Sequence, residues 1–129
     1  MDRPDVPQQA LAFIAENIDS VPQLEALLLF WESPTRSWSC DELAARLYVR
    51  PDACQGILHA LRRRGLLAVE DRDGERYRYD SAWDPDGERM AQVASAYREH
   101  LVALTTFIHT KTPPALREFA RAFDLKKER

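Results

Sequence analysis

SCDELAARLYVRPDACQGILHALRRRGLLAVEDRDGERYRYD, residues 39–80, is the stretch whose reading decides how this chain folds. Ser39 and Glu42 stand three apart at its start, so each side chain can satisfy a backbone N–H that a helix N-terminus leaves open. A helix therefore begins near Cys40, and Leu43, Ala44 and Leu47 give it one apolar face. Arg50 precedes Pro51 and is pushed out of the α region, which ends this helix by Tyr48 or Val49. Pro51 suits the first turn of a second helix, where its missing N–H costs nothing. In that helix Cys54, Ile57, Leu58 and Leu61 form a buried stripe, while Asp52, Gln55, His59, Arg62 and Arg63 face the other way. Gly65 follows the last apolar turn and suits a left-handed cap.

Two strand-like runs come next, and their register follows from the side chains, because a one-residue slip turns every one of them over. A two-residue Asp73-Gly74 turn would leave Val69 and Tyr77 on different faces. A three-residue loop, Arg72-Asp73-Gly74 with Gly74 left-handed, pairs Val69 with Tyr77 and Leu67 with Tyr79 on one face. It also pairs Glu70 with Arg76 on the outer face, where opposite charges help. The three-residue loop is the expectation. Helix, helix and hairpin in that order make a winged helix-turn-helix.

The residues concerned are Glu42-Leu43-Ala44 with Leu47, then Leu58 and Leu61, then Gly65-Leu66-Leu67, then Tyr77 and Tyr79. This pattern resembles the winged helix-turn-helix regulators of bacteria, especially MarR-like and PadR-like proteins, over about one third of the chain. The resemblance implies that the second helix is a recognition helix placing Gln55, His59, Arg62 and Arg63 in a DNA groove. It implies that the hairpin is a wing carrying Arg72, Arg76 and Arg78 to phosphates. Arg50, at the start of the recognition helix, joins that candidate set.

The flanks read as helices. Met1 to Pro7 form a polar arm, and Leu11, Ile14, Ala15 and Ile18 give a first helix that runs to about Asn17. Ser20 or Asp19 caps a second helix with Leu24, Leu27, Leu28 and Trp31, apolar almost all round and therefore buried. Around Trp38, residues 37–39 suit a short third strand beside the hairpin. Trp83 to Gly87 reads as a turn, followed by one long helix to Thr110. Its residues Met90, Ala94, Tyr97, Leu101, Leu104 and Ile108 step by four and three, a heptad seam. Such a seam needs a partner, either the first helix around Leu11 and Ile14 or a second copy of the chain. Thr112-Pro113-Pro114 then caps a short last helix with Leu116, Phe119, Ala120 and Phe123, before the basic Lys126, Lys127 and Arg129.

The expected fold is therefore mainly α with a small β-hairpin wing. Residues 1–19 form an arm and helix, 20–83 the winged core, and 84–129 a helical extension. The absence of any run of 18 apolar residues excludes a membrane-spanning helix, and the chain reads as cytoplasmic. Cys40 and Cys54 read as reduced structural thiols. They and His59, His100 and His109 lack ligand spacing, so neither a metal nor a cofactor is expected. No phosphate loop or nucleophile elbow is present, which argues against an enzyme.

Charge divides the functional readings. With 18 Lys and Arg against 21 Asp and Glu, the net charge is −3. DNA-binding domains usually carry a basic patch. Residues 50–80 contain seven arginines and six acids, a net of about +1. The leading expectation is a transcriptional regulator binding double-stranded DNA, as a homodimer through the long helix, with a ligand-sensing variant of the same reading. The alternative is a winged helix that serves as a protein-interaction adaptor and never touches nucleic acid. Arginines converging on one face favour DNA. Arginines scattered and each neutralised by a carboxylate favour the adaptor.

Overall fold

The structure is a computed structural model and describes residues 6–71 and 74–111. Among these described residues six α-helices run in the order α1 (Gln8–Asn17), α2 (Val21–Glu32), α3 (Cys40–Leu47), α4 (Pro51–Arg63), α5 (Glu88–Glu99) and α6 (Leu101–Lys111). The hairpin β1 (Leu67–Glu70) and β2 (Arg76–Tyr79) lies between α4 and α5, followed by a short 3-10 turn at Ser81–Trp83. This is a winged helix-turn-helix with helices on both flanks. Most of the polar arm, together with Arg72, the short last helix and the basic tail, lies outside the described residues.

Local chemistry accounts for the winged core. Ser39 Oγ accepts from the Glu42 N–H at 3.1 Å, and the Glu42 carboxylate accepts from the Ser39 N–H at 3.1 Å, so the capping box is complete. Ser20 caps α2 in the same way, accepting from Gln23 N–H at 3.3 Å. Cys54, Leu58 and Leu61 are fully buried and Ile57 half-buried, as the stripe on α4 predicts. Gly65 adopts φ +78°, a conformation that costs a residue with a Cβ, and closes α4.

The hairpin register is the expected one, with Leu67 opposite Tyr79, Val69 opposite Tyr77 and Glu70 opposite Arg76. Tyr77 and Tyr79 point inward, 1% and 7% exposed. The ladder stops at Glu70 and Arg76, one pair short of the expected loop, and Gly74 has φ +91°. Trp38 forms the expected third strand as a single bridge, exchanging 2.8 Å backbone hydrogen bonds with Tyr77 in both directions.

Two expectations on the flanks are corrected. On α1 the buried residues are Ala10, Phe13 and Ile14, continuing to Ile18, while Leu11 is half-buried and Ala15 exposed. Phe13 decides this, stacking on Trp83 with ring centroids 5.1 Å apart. The single long helix is broken at His100, whose φ −133° and ψ 46° end α5. On either side of the break, α5 and α6 both pack on α1. Met90, Val93 and Ala96 are buried on α5, then Leu104 and Ile108 on α6. Ala94 and Tyr97 are half-buried and Leu101 is 46% exposed.

Asp84 holds the start of α5. Its carboxylate, buried in the chain, accepts from Arg89 N–H at 3.3 Å and Met90 N–H at 2.9 Å, two donors that the helix start leaves open. Gly87, at φ +72°, makes the turn that brings Asp84 back over them.

Tyr48 ends α3 in the left-handed region, with φ 59° and ψ 43°, and its side chain is 92% exposed. An L-residue with a Cβ pays about 1–2 kcal/mol there, and no packing of the ring offsets it. Tyr48→Asn is expected to raise the melting temperature by about 2–4 °C in a thermal melt, since asparagine tolerates this conformation.

Candidate nucleic-acid interface

The outer face of α4 carries four of the candidate residues. His59, Arg62 and Arg63 are exposed and Gln55 half-exposed, because the stripe on the opposite side is anchored in the core by Cys54, Leu58 and Leu61. Gln55 Nε2 lies 3.1 Å from His59 Nε2, one helical turn away, so the amide donates to the ring nitrogen and the two side chains stand as one polar unit. Arg62 and Arg63 occupy the last turn, where positive charge also complements the helix dipole. Neither has a carboxylate partner among the described residues.

The other described arginines of the candidate set are differently placed. Arg50 lies 3.3 Å from Asp52, both side chains largely in water, a pair of little strength. Arg76 turns back toward the protein. Its Nε donates to Ser37 Oγ at 2.9 Å, and one terminal nitrogen donates to Ser37 O at 3.0 Å and to a Glu42 carboxylate oxygen at 2.7 Å. Glu70, opposite Arg76 in the ladder, lies instead within 3.0 Å of Arg78 Nε, close but poorly aligned for a hydrogen bond. The expected Glu70–Arg76 charge pair is thus exchanged for a diagonal one. Arg76 reaches three other acceptors instead, the Ser37 hydroxyl, the Ser37 carbonyl and the Glu42 carboxylate. Arg64, outside the candidate set, lies 3.4 Å from Asp19.

Glu42 sits at the centre of this arrangement. The Ser39 backbone N–H, and after it the Arg76 guanidinium, hold its carboxyl below the ordinary value of 4.5. Sequence reasoning found Glu42 as a cap but not as the partner of Arg76, which lies 34 residues away and leaves no local signal.

Beneath the same elements, Cys40 and Cys54 are free thiols, one half-buried and one buried. Burial raises the Cys40 thiol and pushes that of Cys54 up to about 12, which disfavours the thiolate at both.

An open groove of about 580 Å³ lies between α2, the end of α3 and the junction of α5 with α6, lined by Glu25, Trp31, Arg46, Tyr48, Tyr97 and Leu101 among others. Tyr97 donates to the Glu25 carboxylate at 2.7 Å, and burial together with that bond pushes its phenol up to about 12. Of the six seam residues, Met90, Leu104 and Ile108 are at most 1% exposed, buried in this chain's own core. Ala94, Tyr97 and Leu101 line the groove.

No family model and no curated protein matches the sequence. Solved structures do match. A MarR family protein from Bacillus stearothermophilus is similar over 94% of this chain and 82% of its own, with 19% identity and a TM-score of 0.50. RV1404 from Mycobacterium tuberculosis is similar over 92% of this chain and 78% of its own, with 20% identity and a TM-score of 0.53. At these identities the likeness establishes the fold, a MarR-like winged helix.

Proposed function

We propose that this chain is a DNA-binding transcriptional regulator that places α4 in the major groove. The observation that carries this reading is the outer face of α4. Gln55 and His59 stand ready for base edges, and Arg62 and Arg63 keep their charge free of carboxylates among the described residues. The winged-helix fold, shared with a MarR family protein, supports it. Phosphate neutralisation then falls mainly to Arg62 and Arg63. Arg50 and Arg78 reach phosphates by exchanging Asp52 and Glu70 for them, Arg72 adds to the wing, and Arg76 joins them only by giving up both Ser37 and Glu42. Two copies of the chain, joined through the apolar surface that Ala94, Tyr97 and Leu101 leave accessible, would present two α4 helices to successive turns of DNA.

The adaptor reading is favoured by one specific observation, that three arginines of the candidate set have carboxylate neighbours in a chain of net charge −3. Salt dependence separates the two readings. In fluorescence anisotropy with random duplex DNA, from low to physiological salt, the wild type is expected to bind with affinity falling steeply as salt rises. Arg62→Ala/Arg63→Ala should reduce the log–log slope by roughly 2 for each chain bound. Absence of binding at low salt sinks the DNA reading in favour of the adaptor.

A further inference from the structure

Gly56 lies in the interior of α4, on its exposed side. Glycine there destabilises a helix relative to alanine, because it gives up more backbone freedom on folding. Proteins accept that cost for a left-handed backbone, a cap, a bulge, or a close approach to the backbone by something else. The first three do not apply. Gly56 is not among the residues with positive φ, and it stands mid-helix, away from either cap. Packing within the chain gives no reason either, for a Cβ built at Gly56 meets nothing within 4 Å among the described residues.

What surrounds the glycine points outward. Gln55 and His59 flank it and have only each other as hydrogen-bond partners among the described residues. Arg62 and Arg63 follow two turns later without carboxylate partners there.

We propose that Gly56 is the point where the α4 backbone comes closest to DNA, with the edge of a base pair packed against its Cα in the major groove. This rests on the DNA-binding reading above and deepens it. A methyl group at Gly56 would stand between the helix and the bases and lift Gln55 and His59 out of hydrogen-bonding range. Gly56 is thus a positioning residue for readout, while Arg62 and Arg63 hold phosphates whatever the sequence.

The test uses duplexes enriched by the wild-type chain from a random pool, with the unselected pool as control. Gly56→Ala is expected to melt about 2–4 °C higher than wild type. It should bind the enriched duplexes at least roughly 10-fold more weakly, a larger loss than for the unselected pool. Equal affinity for the enriched duplexes overturns the inference and leaves the DNA reading standing. A lower melting temperature also overturns it, since Gly56 would then serve packing within the chain. A wild type that binds no DNA at low salt overturns both.

Discussion

Leu104→Ala is expected to destabilise the chain by about 3 kcal/mol, whereas Leu101→Ala, three residues earlier, should cost under about 1 kcal/mol. Leu104 is fully buried where α6 packs on α1, and Leu101 is 46% exposed at the rim of the groove. Truncating the first removes apolar burial and leaves a cavity that close-packed neighbours fill only in part. Truncating the second removes contacts already shared with water. One unbroken heptad helix pairing with a second copy would make the two substitutions comparable, both with melting temperatures that depend on protein concentration. Urea denaturation at two protein concentrations distinguishes the cases. A large, concentration-independent loss for Leu104→Ala supports its burial within one chain, equal concentration-dependent losses at both positions refute it, and a small loss at Leu101→Ala that appears only on dilution is what the proposed joining of two copies requires.

Arg76→Ala is expected to cost about 2 kcal/mol, although the residue lies on the wing where phosphate contact is the first thought. Its guanidinium joins β2 to the bridge strand through Ser37 and to the capping box of α3 through Glu42, so removing it loosens three elements together. The Glu42 side chain is 44% exposed, and water screens part of that attraction. The pH dependence follows from the carboxyl's depressed pKa. The unfolded chain takes up the proton more readily, so the contribution is complete above the ordinary value of 4.5 and fades as pH falls through the lower folded value. The gap in stability between wild type and Arg76→Ala should therefore narrow in acid, as measured by urea denaturation from pH 7 downward. A gap that stays constant would mean that Ser37 alone holds the arginine. A variant as stable as wild type would free Arg76 for phosphates.

Much of this protein was determined by sequence alone. The bridge of Trp38 to the distant Tyr77 followed from the expected winged fold, while the Ser39–Glu42 capping box, the Pro51 start of α4 and the hairpin register all rest on neighbours a few residues apart or on the alternation of a strand. Local geometry suffices for those three. The faces of α3 and α4 were legible for the same reason, and with them the outward placing of His59, Arg62 and Arg63. Other features were decided only in three dimensions. The heptad spacing from Met90 to Ile108 is as good a seam as a continuous helix could offer, and the break at His100, with α5 and α6 both packed on α1, leaves no mark in that spacing. The strained Tyr48 is likewise the price of turning α3 into α4 within three residues. The candidate arginines were all visible in the sequence, but which of them kept an available charge was not. A guanidinium's partner is the carboxylate that folding brings within a few ångströms. For Arg76 that is Glu42, on a separate helix, rather than Glu70 directly across the hairpin.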